Sequence, residues 1–164
     1  MKRTVSVLIF LFISTFLFAQ SQISLDGTWE IIYDDENQGV VGAWHVNKNY
    51  DAQPGIKEIG VPSCWEEYEK NYEGVAFYRK QFTLPTKWLG QILDLKFNAS
   101  NYMTQIWLNE QVVGFHEGGY TPFSFRIDKL AKPGEENILT VRVISPIILT
   151  DKRIDGLGRQ EVPM

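Results

Sequence analysis

Residues 101–125, NYMTQIWLNEQVVGFHEGGYTPFSF, decide the fold of this chain. Apolar residues recur at every second position in 102–108, and Asn109-Glu110 then separates two extended runs as a two-residue hairpin turn. A loop with two adjacent glycines, Gly118 and Gly119, precedes the next alternating run. Paired glycines permit positive φ and close approach of the backbone. The stretch therefore predicts strand, tight turn, strand, glycine loop and strand.

The same two-residue period continues on both sides of this stretch. Further strands are predicted where apolar residues alternate with polar ones or run between turn residues, at 27–33, 56–61, 75–84, 92–99, 123–128 and 138–145. Only 86–90 and 128–132 have the pattern of single helical turns, and the polar segment 34–55 predicts a long surface loop. Seven or eight strands without a long helix predict an all-β fold, an antiparallel β-sandwich.

The amino terminus has the pattern of a signal peptide, predicted over residues 1–19. Lys2 and Arg3 precede an uncharged apolar run, VSVLIFLFISTFLFA, which ends in a small residue at a plausible cleavage point. The run is shorter than the roughly 20 residues that a membrane span needs. An uncleaved N-terminal anchor is the alternative, because Leu17 is large for the −3 position. Cleavage leaves one domain over residues 20–164, exported and without a membrane segment.

The chain after cleavage is acidic. Without Lys2 and Arg3 it has 14 basic and 20 acidic residues, a net charge of −6. The sequence contains no basic stripe, so nucleic acid is not predicted as a partner. Cys64 is the only cysteine, which excludes an internal disulfide, and we interpret it as a small buried apolar residue. An exported protein without disulfides fits a bacterial periplasm or the cell exterior.

Catalytic and metal-binding groups do not form a recognisable pattern. Carboxylates occur in runs such as Asp34-Asp35-Glu36 and Glu66-Glu67, which we interpret as solvated surface rather than as general acid/base pairs. His45 and His116 are the only histidines and lack a nearby ligand cluster, so no metal and no cofactor are predicted. His116 is predicted to hydrogen-bond the backbone of its loop.

Aromatic side chains give the one indication of a ligand. Sugars stack their apolar C–H faces on aromatic rings, so 5 tryptophans and 7 tyrosines suggest carbohydrate as a partner. The alternative is core packing, which the strand pattern favours for Trp29 and Phe97. Trp107 lies in the polar phase of its strand and is predicted to mark a contact surface. Asn98-Ala99-Ser100 matches a glycosylation acceptor, and we interpret the match as chance.

Five sequence blocks, taken in order, resemble glycoside hydrolase family 2. They are LDGTW at 25–29, VPSCW at 61–65, GVAFYRKQF at 74–82, IWLN at 106–109 and HEGGYTPF at 116–123. Their spacing is similar to that of the N-terminal sugar-binding domain of β-glucuronidases and β-galactosidases, over about residues 23–145, and the glycine loop is most similar to the β-glucuronidase type. The resemblance implies a galactose-binding-domain-like jelly roll. It also implies a retaining glycosidase that acts on β-galactosides or β-glucuronides, and the predicted signal peptide makes it an exported one.

The resemblance implies that this chain is not catalytic alone. In the family, the two catalytic glutamates belong to a (β/α)₈ barrel that follows an immunoglobulin-like domain. Such a barrel needs about 250 residues, so no catalytic residue is assigned here, and those two domains are the implied partners. The loop residues are given a structural role: His116, Glu117, Gly118, Gly119 and Tyr120.

The resemblance also gives expectations for the carboxyl end. In the family the chain continues here into a loop and a closing strand, so the domain is expected to be truncated, without its last strand and with an unpaired sheet edge. Family members place a carboxylate from this loop near the sugar, and Asp151 is the best positional match, with Asp155 second. Two alternatives stay open: a free-standing carbohydrate-binding or adhesion module, and a protein-interaction domain that docks on a separate catalytic chain.

Overall fold

The computed structural model describes residues 21–145. The predicted signal peptide, residues 1–19, lies outside the described residues, as do the candidate substrate-binding residues Asp151 and Asp155. Within the described range, no helix has the length and apolar character needed to cross a membrane.

Eight strands and three short helical segments make up this part of the chain. The strands are β1 (Gly27–Tyr33), β2 (Lys57–Val61), β3 (Val75–Thr83), β4 (Asp94–Phe97), β5 (Met103–Leu108), β6 (Gln111–Glu117), β7 (Phe123–Arg126) and β8 (Glu136–Ile144). The helical segments are α1 (Asn47–Asp51) and two 3₁₀ turns, Trp65–Glu67 and Thr86–Trp88. Each predicted strand is confirmed, and so is the helical turn predicted at 86–90.

The strands form two antiparallel layers, so the predicted β-sandwich is confirmed. Six strands, in the order β2-β1-β3-β8-β5-β6, form the larger sheet, while β4 and β7 form the smaller one. Strands β3 and β8 pair over nine residues at the centre of the larger sheet. Strand β4 has β7 on one side and no described strand on the other, which gives the smaller sheet an unpaired edge.

The first core lies between the two sheets. Alternate residues of the larger sheet, such as Trp29, Ile106 and Leu139, pack against Leu95 and Ile127 from the smaller-sheet side. Burial of such side chains stabilises the fold by about 1.5–3 kcal/mol each. The core role predicted for Trp29 is confirmed because its side chain is buried, and Phe97, also predicted as core, packs against the same cluster.

The second core lies on the opposite face of the larger sheet, under segment 34–55. Helix α1 buries Tyr50 completely, and the Tyr50 hydroxyl donates a hydrogen bond to Phe77 O at 3.3 Å. The ring centroids of Trp44 and Phe77 are 5.5 Å apart. Most of the segment is irregular and lies at the surface, as predicted. Its aromatic residues also cover an apolar sheet face, which the polar composition of the segment did not indicate.

Trp107 and Asp34 correct two further predictions on this face. The Trp107 ring is buried and stacks on His45 with centroids 5.0 Å apart, so it does not mark a contact surface. Central strands are buried on both faces, so a residue in the polar phase of such a strand can still be buried. Asp34 is buried rather than solvated, and its carboxylate accepts hydrogen bonds from Gln38 N and Gly39 N at 2.7 and 2.8 Å. Glu66-Glu67 is exposed, as predicted.

The hairpin turn between β5 and β6 is confirmed. Asn109 and Glu110 have φ of 51° and 68°, the left-handed conformations that a type I′ turn requires. The Asn109 amide also donates to Leu130 O at 2.8 Å and to Asn137 Oδ1 at 3.0 Å. Asn109 thus holds both the hairpin and the loop that leads into β8.

Cys64 is exposed, so the prediction of a buried thiol is wrong. It lies in the bend between β2 and the 3₁₀ turn Trp65–Glu67, where Trp65 is the residue whose side chain is buried.

Candidate functional site

The glycine loop lies at one end of the sandwich, beside the end of β8. Tyr102 N donates to Ile144 O at 2.9 Å, and Gly118 N donates to Tyr102 O at 3.0 Å. These bonds bring together the turn 98–102, the loop 117–122 and Ser145, which we call the loop end. The side chain of Ser145 donates to Glu73 Oε2 at 2.5 Å and adds a carboxylate to the same end.

Both properties expected of the paired glycines are found. Gly118 has φ of +136°, a backbone conformation that residues with a side chain rarely adopt. Gly119 lies so close to Asn101 that a Cβ atom there would be 2.5 Å from Asn101 Oδ1. The two glycines therefore let the loop fold tightly over the preceding turn.

His116 faces the first core and stacks on Phe123, with ring centroids 3.9 Å apart. Its Nε2 atom is buried and has no hydrogen-bond partner within residues 21–145. The prediction that this side chain hydrogen-bonds loop backbone is wrong, because strand alternation turns His116 inward, opposite Thr104. The imidazole acts as an aromatic packing group.

Glu117 and Tyr120 are the loop residues that face solvent. Tyr120 is 92% exposed, and Glu117 lies at the exposed end of β6. The Glu117 carboxylate hydrogen-bonds the hydroxyl of Tyr102 and thereby raises the pKa of that phenol. An open aromatic ring near a carboxylate can stack a sugar face and accept hydrogen bonds from its hydroxyls.

Sequence reasoning missed Asn101 and Tyr102 as members of the loop end. Both side chains come from the turn that precedes β5. Asn101 lies against Gly119, and the Tyr102 hydroxyl interacts with Glu117. The sequence feature that could have identified them is a polar Asn-Tyr pair directly before a predicted strand. In the described part of the chain, no three His, Cys, Asp or Glu side chains are grouped so that they can hold a metal ion.

Comparison with known families and curated proteins gives consistent results. Residues 67–153 match the family described as glycosyl hydrolases family 2, sugar binding domain. A beta-glucuronidase of Paenibacillus borealis is 28% identical over 124 residues, which covers 73% of this chain and 20% of that protein. A beta-galactosidase of Thermoanaerobacter pseudethanolicus is 30% identical over 122 residues, covering 74% of this chain and 15% of that protein. The chain thus spans a fifth or less of these curated relatives.

Solved structures give the same answer at the level of the fold. A Ruminococcus gnavus beta-glucuronidase in complex with D-glucuronic acid superposes with a TM-score of 0.68 at 28% sequence identity. The superposition covers 75% of this chain and 22% of that enzyme. Since the family match extends over more than half of the sequence and the fold agrees, this chain belongs to glycosyl hydrolase family 2 and carries its sugar binding domain.

Proposed function

We propose that the chain is the N-terminal, sugar-binding-type domain of an exported retaining glycosidase that acts on β-glucuronides or β-galactosides in carbohydrate metabolism. One observation carries the proposal: about three quarters of the chain aligns with a fifth or less of proteins named beta-glucuronidase or beta-galactosidase. Because the match is confined to one part of much longer enzymes, it supports a role as one domain of a multidomain enzyme.

In this proposal the domain supplies no catalytic group. Retaining hydrolysis uses two carboxyl groups about 5–5.5 Å apart across the scissile bond. Within the glycine loop 117–122, Glu117 is the single carboxylate, and the nearby Glu73 is bound by Ser145. The domain instead braces a (β/α)₈ barrel and shapes one rim of its sugar pocket. The barrel and an immunoglobulin-like domain are its proposed partners.

The loop end is the surface that we assign to this rim. Tyr120 and Glu117 face solvent there, and Ser145 is the last described residue of the chain. Asp151 and Asp155 follow Ser145 closely in sequence, which supports them as the carboxylates offered to the sugar. Export to a bacterial periplasm or to the exterior rests on Lys2, Arg3 and the apolar run that follows them.

A domain exchange tests this function. The equivalent domain of the Ruminococcus gnavus enzyme is replaced by this chain, and hydrolysis of 4-nitrophenyl β-glucuronide and β-galactoside is measured. We expect turnover of one substrate by the chimera and none by the chain alone. Asp151→Asn in the chimera should lower kcat/KM at least about tenfold, the effect of losing one hydrogen bond to a charged group. A folded chimera that is inactive on both substrates, or turnover by the chain alone, contradicts the proposal.

The exposed ring of Tyr120 favours a second candidate, a carbohydrate-binding module that functions without a barrel. The test is isothermal titration calorimetry of the chain with methyl β-glucuronide and with methyl β-galactoside. Saturable binding that Tyr120→Ala abolishes and the exposed control Lys129→Ala leaves intact supports this candidate. The absence of heat at millimolar sugar rejects it.

A further inference from the structure

Strand β2 is an outer strand of the larger sheet: in the described part of the chain it has β1 on one side and no strand on the other. Residues 62–69, which we call the edge strap, follow β2 and fold back along its outer edge. We propose that the edge strap prevents β2 from pairing with the β2 strand of a second copy of this chain. The proposal is independent of the glycosidase assignment.

The edge strap hydrogen-bonds the backbone of Gly60. Gly60 N donates to the Tyr68 hydroxyl at 3.0 Å, and the Ser63 hydroxyl donates to Gly60 O. In an antiparallel pair, the backbone groups of successive residues point alternately toward the partner strand and away from it. Gly60 therefore points away from β1, and so does Glu58. These two residues carry the N–H and C=O groups that an added strand would use.

Occupation of Gly60 leaves a single residue of β2 for pairing. Within Lys57–Val61, that residue is Glu58, and the strand is followed by Pro62, which has no N–H. Glu58 is exposed, and a charged side chain on an outer strand disfavours pairing with another chain. Because the net contribution of one hydrogen bond is small, the backbone of Glu58 alone cannot hold a second strand.

A buried tryptophan holds the edge strap in place. The side chain of Trp65 is buried in the first core. Tyr68 N and Glu69 N donate to Trp65 O at 2.9 and 2.8 Å, so the tyrosine is fixed relative to this anchor. Lys57 Nζ on β2 lies 2.8 Å from Glu69 Oε2, but this ion pair is about half exposed and contributes little. Trp65 is therefore the residue that places Tyr68 at the edge of β2.

The glycine at position 60 permits the close approach of the Tyr68 ring. A Cβ atom at residue 60 would be 3.1 Å from the Tyr68 hydroxyl oxygen, closer than ordinary van der Waals contact. Gly60 does not have a positive φ, so its conformation does not require glycine. The missing side chain makes room for the hydroxyl that occupies the Gly60 N–H.

The outer edge of β2 is self-complementary, so a second copy is the strand that fits it. A two-fold axis through Ile59 places Glu58 of each copy opposite Gly60 of the other. Such a pair exchanges both of its N–H···O bonds, and the axis generates it twice. This register also keeps the two Glu58 carboxylates from lying directly opposite each other, which would be unfavourable.

A double substitution in the full chain tests the proposal. Tyr68→Ala together with Ser63→Ala removes both partners of Gly60, and self-association is measured by sedimentation equilibrium. We expect the double variant to dimerise with a Kd at least about tenfold below that of the parent. The control Glu67→Gln changes an exposed side chain of the same strap and should match the parent. A folded double variant that associates no more than the parent overturns the proposal.

A third substitution shows whether the dimer uses β2. Glu58→Pro, added to the double variant, removes an N–H that points away from β1 and leaves the β1–β2 hydrogen bonds intact. It should raise the dimer Kd at least about tenfold. The matched variant Glu58→Ala keeps the N–H and should still dimerise. Association that persists unchanged after Glu58→Pro takes place at another surface and overturns the proposal.

Amide hydrogen exchange keeps the test decisive if the double variant fails to fold. In the unmodified chain the Gly60 amide should be protected and the Glu58 amide should exchange rapidly. Tyr68→Phe removes only the hydroxyl, and it should raise the exchange rate of Gly60 at least about tenfold while Ile59, which bonds to β1, stays protected. A Glu58 amide that is protected in the parent means that the edge is already paired. That result, or a Gly60 amide that does not respond to Tyr68→Phe, overturns the proposal.

Discussion

Arg142 and Asn37, which are 105 residues apart in the chain, are joined by a buried hydrogen bond of 2.6 Å from Arg142 Nη2 to Asn37 Oδ1. The second terminal nitrogen of Arg142 donates to Gln105 Oε1 at 2.7 Å. Burial lowers the pKa of Arg142 to about 10, while the Asp34 carboxylate opposes this shift. The guanidinium therefore stays charged at neutral pH and fastens segment 34–55 to the larger sheet.

Removing the Asn37 side chain should destabilise the fold. Asn37 has a positive φ, so Asn37→Gly removes the hydrogen bond without straining the backbone. We expect a loss of about 1.5–3 kcal/mol in the free energy of unfolding, the value of a hydrogen bond to a charged group. Urea denaturation measures it, with exposed Lys129→Ala as a control expected within about 0.5 kcal/mol of the parent. In the Arg142→Met background, Asn37→Gly should cost less, and an equal cost would contradict the coupling.

His45 should make stability depend on pH. Burial against Trp107 lowers the pKa of His45 below its usual 6.5, although Glu110 opposes the shift. Because the pKa is lower in the folded state, the contribution of neutral His45 is complete above about pH 6.5. It is lost as the pH falls through the folded pKa.

The variant His45→Phe isolates this contribution, because it keeps a stacking ring and removes the titration. Urea denaturation of the parent and the variant is compared at pH 7.5 and pH 5 at constant ionic strength. The free energy of unfolding should fall less in the variant than in the parent over this interval. An identical fall in both proteins would exclude His45 as a source of the pH dependence.

The two loop glycines should respond differently to alanine. Gly119→Ala should cost about 1–3 kcal/mol because its Cβ would collide with Asn101 Oδ1. In the Asn101→Ala background that collision disappears, and most of the cost should disappear with it. Gly118→Ala should cost about 1–2 kcal/mol in both backgrounds, since its φ of +136° is unfavourable for alanine. Thermal unfolding of the six proteins distinguishes the two mechanisms, and rescue of Gly118→Ala would contradict them.

Asn109 should show separate costs for its turn conformation and for its side chain. Asn109→Gly keeps the left-handed φ of 51° but loses the bonds to Leu130 O and Asn137 Oδ1. Asn109→Ala loses the same bonds and adds backbone strain, so it should be less stable than Asn109→Gly by about 1–2 kcal/mol. Chemical denaturation of both variants measures the difference. Equal stability would show that the turn relaxes.

Local signals predicted most of the fold because strand alternation and turn chemistry act over a few residues. The period-two run before Asn109 and the positive-φ turn itself were both visible in sequence. The two adjacent glycines likewise predicted a close approach of the backbone. That the approached residue is Asn101 could not be predicted, because it depends on the three-dimensional path of the chain. Family resemblance, rather than any single residue, carried the functional prediction.

The remaining errors share a physical cause, which is that burial is set by contacts distant in sequence. Trp107 is covered by His45, and Asp34 is buried beside Arg142, with each pair separated by 60 or more residues. Composition within a short window cannot reveal partners at this separation.

The position of β8 has a consequence for how this domain is made. It is the last described strand along the chain, yet it lies between β3 and β5 at the centre of the larger sheet. Synthesis proceeds at about 5–20 residues per second. Strands β3 and β5 are therefore made several seconds before β8, the strand that pairs with both. The amino-terminal half therefore leaves the ribosome before its sheet can close. This order ties the folding of the domain to the arrival of residue 144.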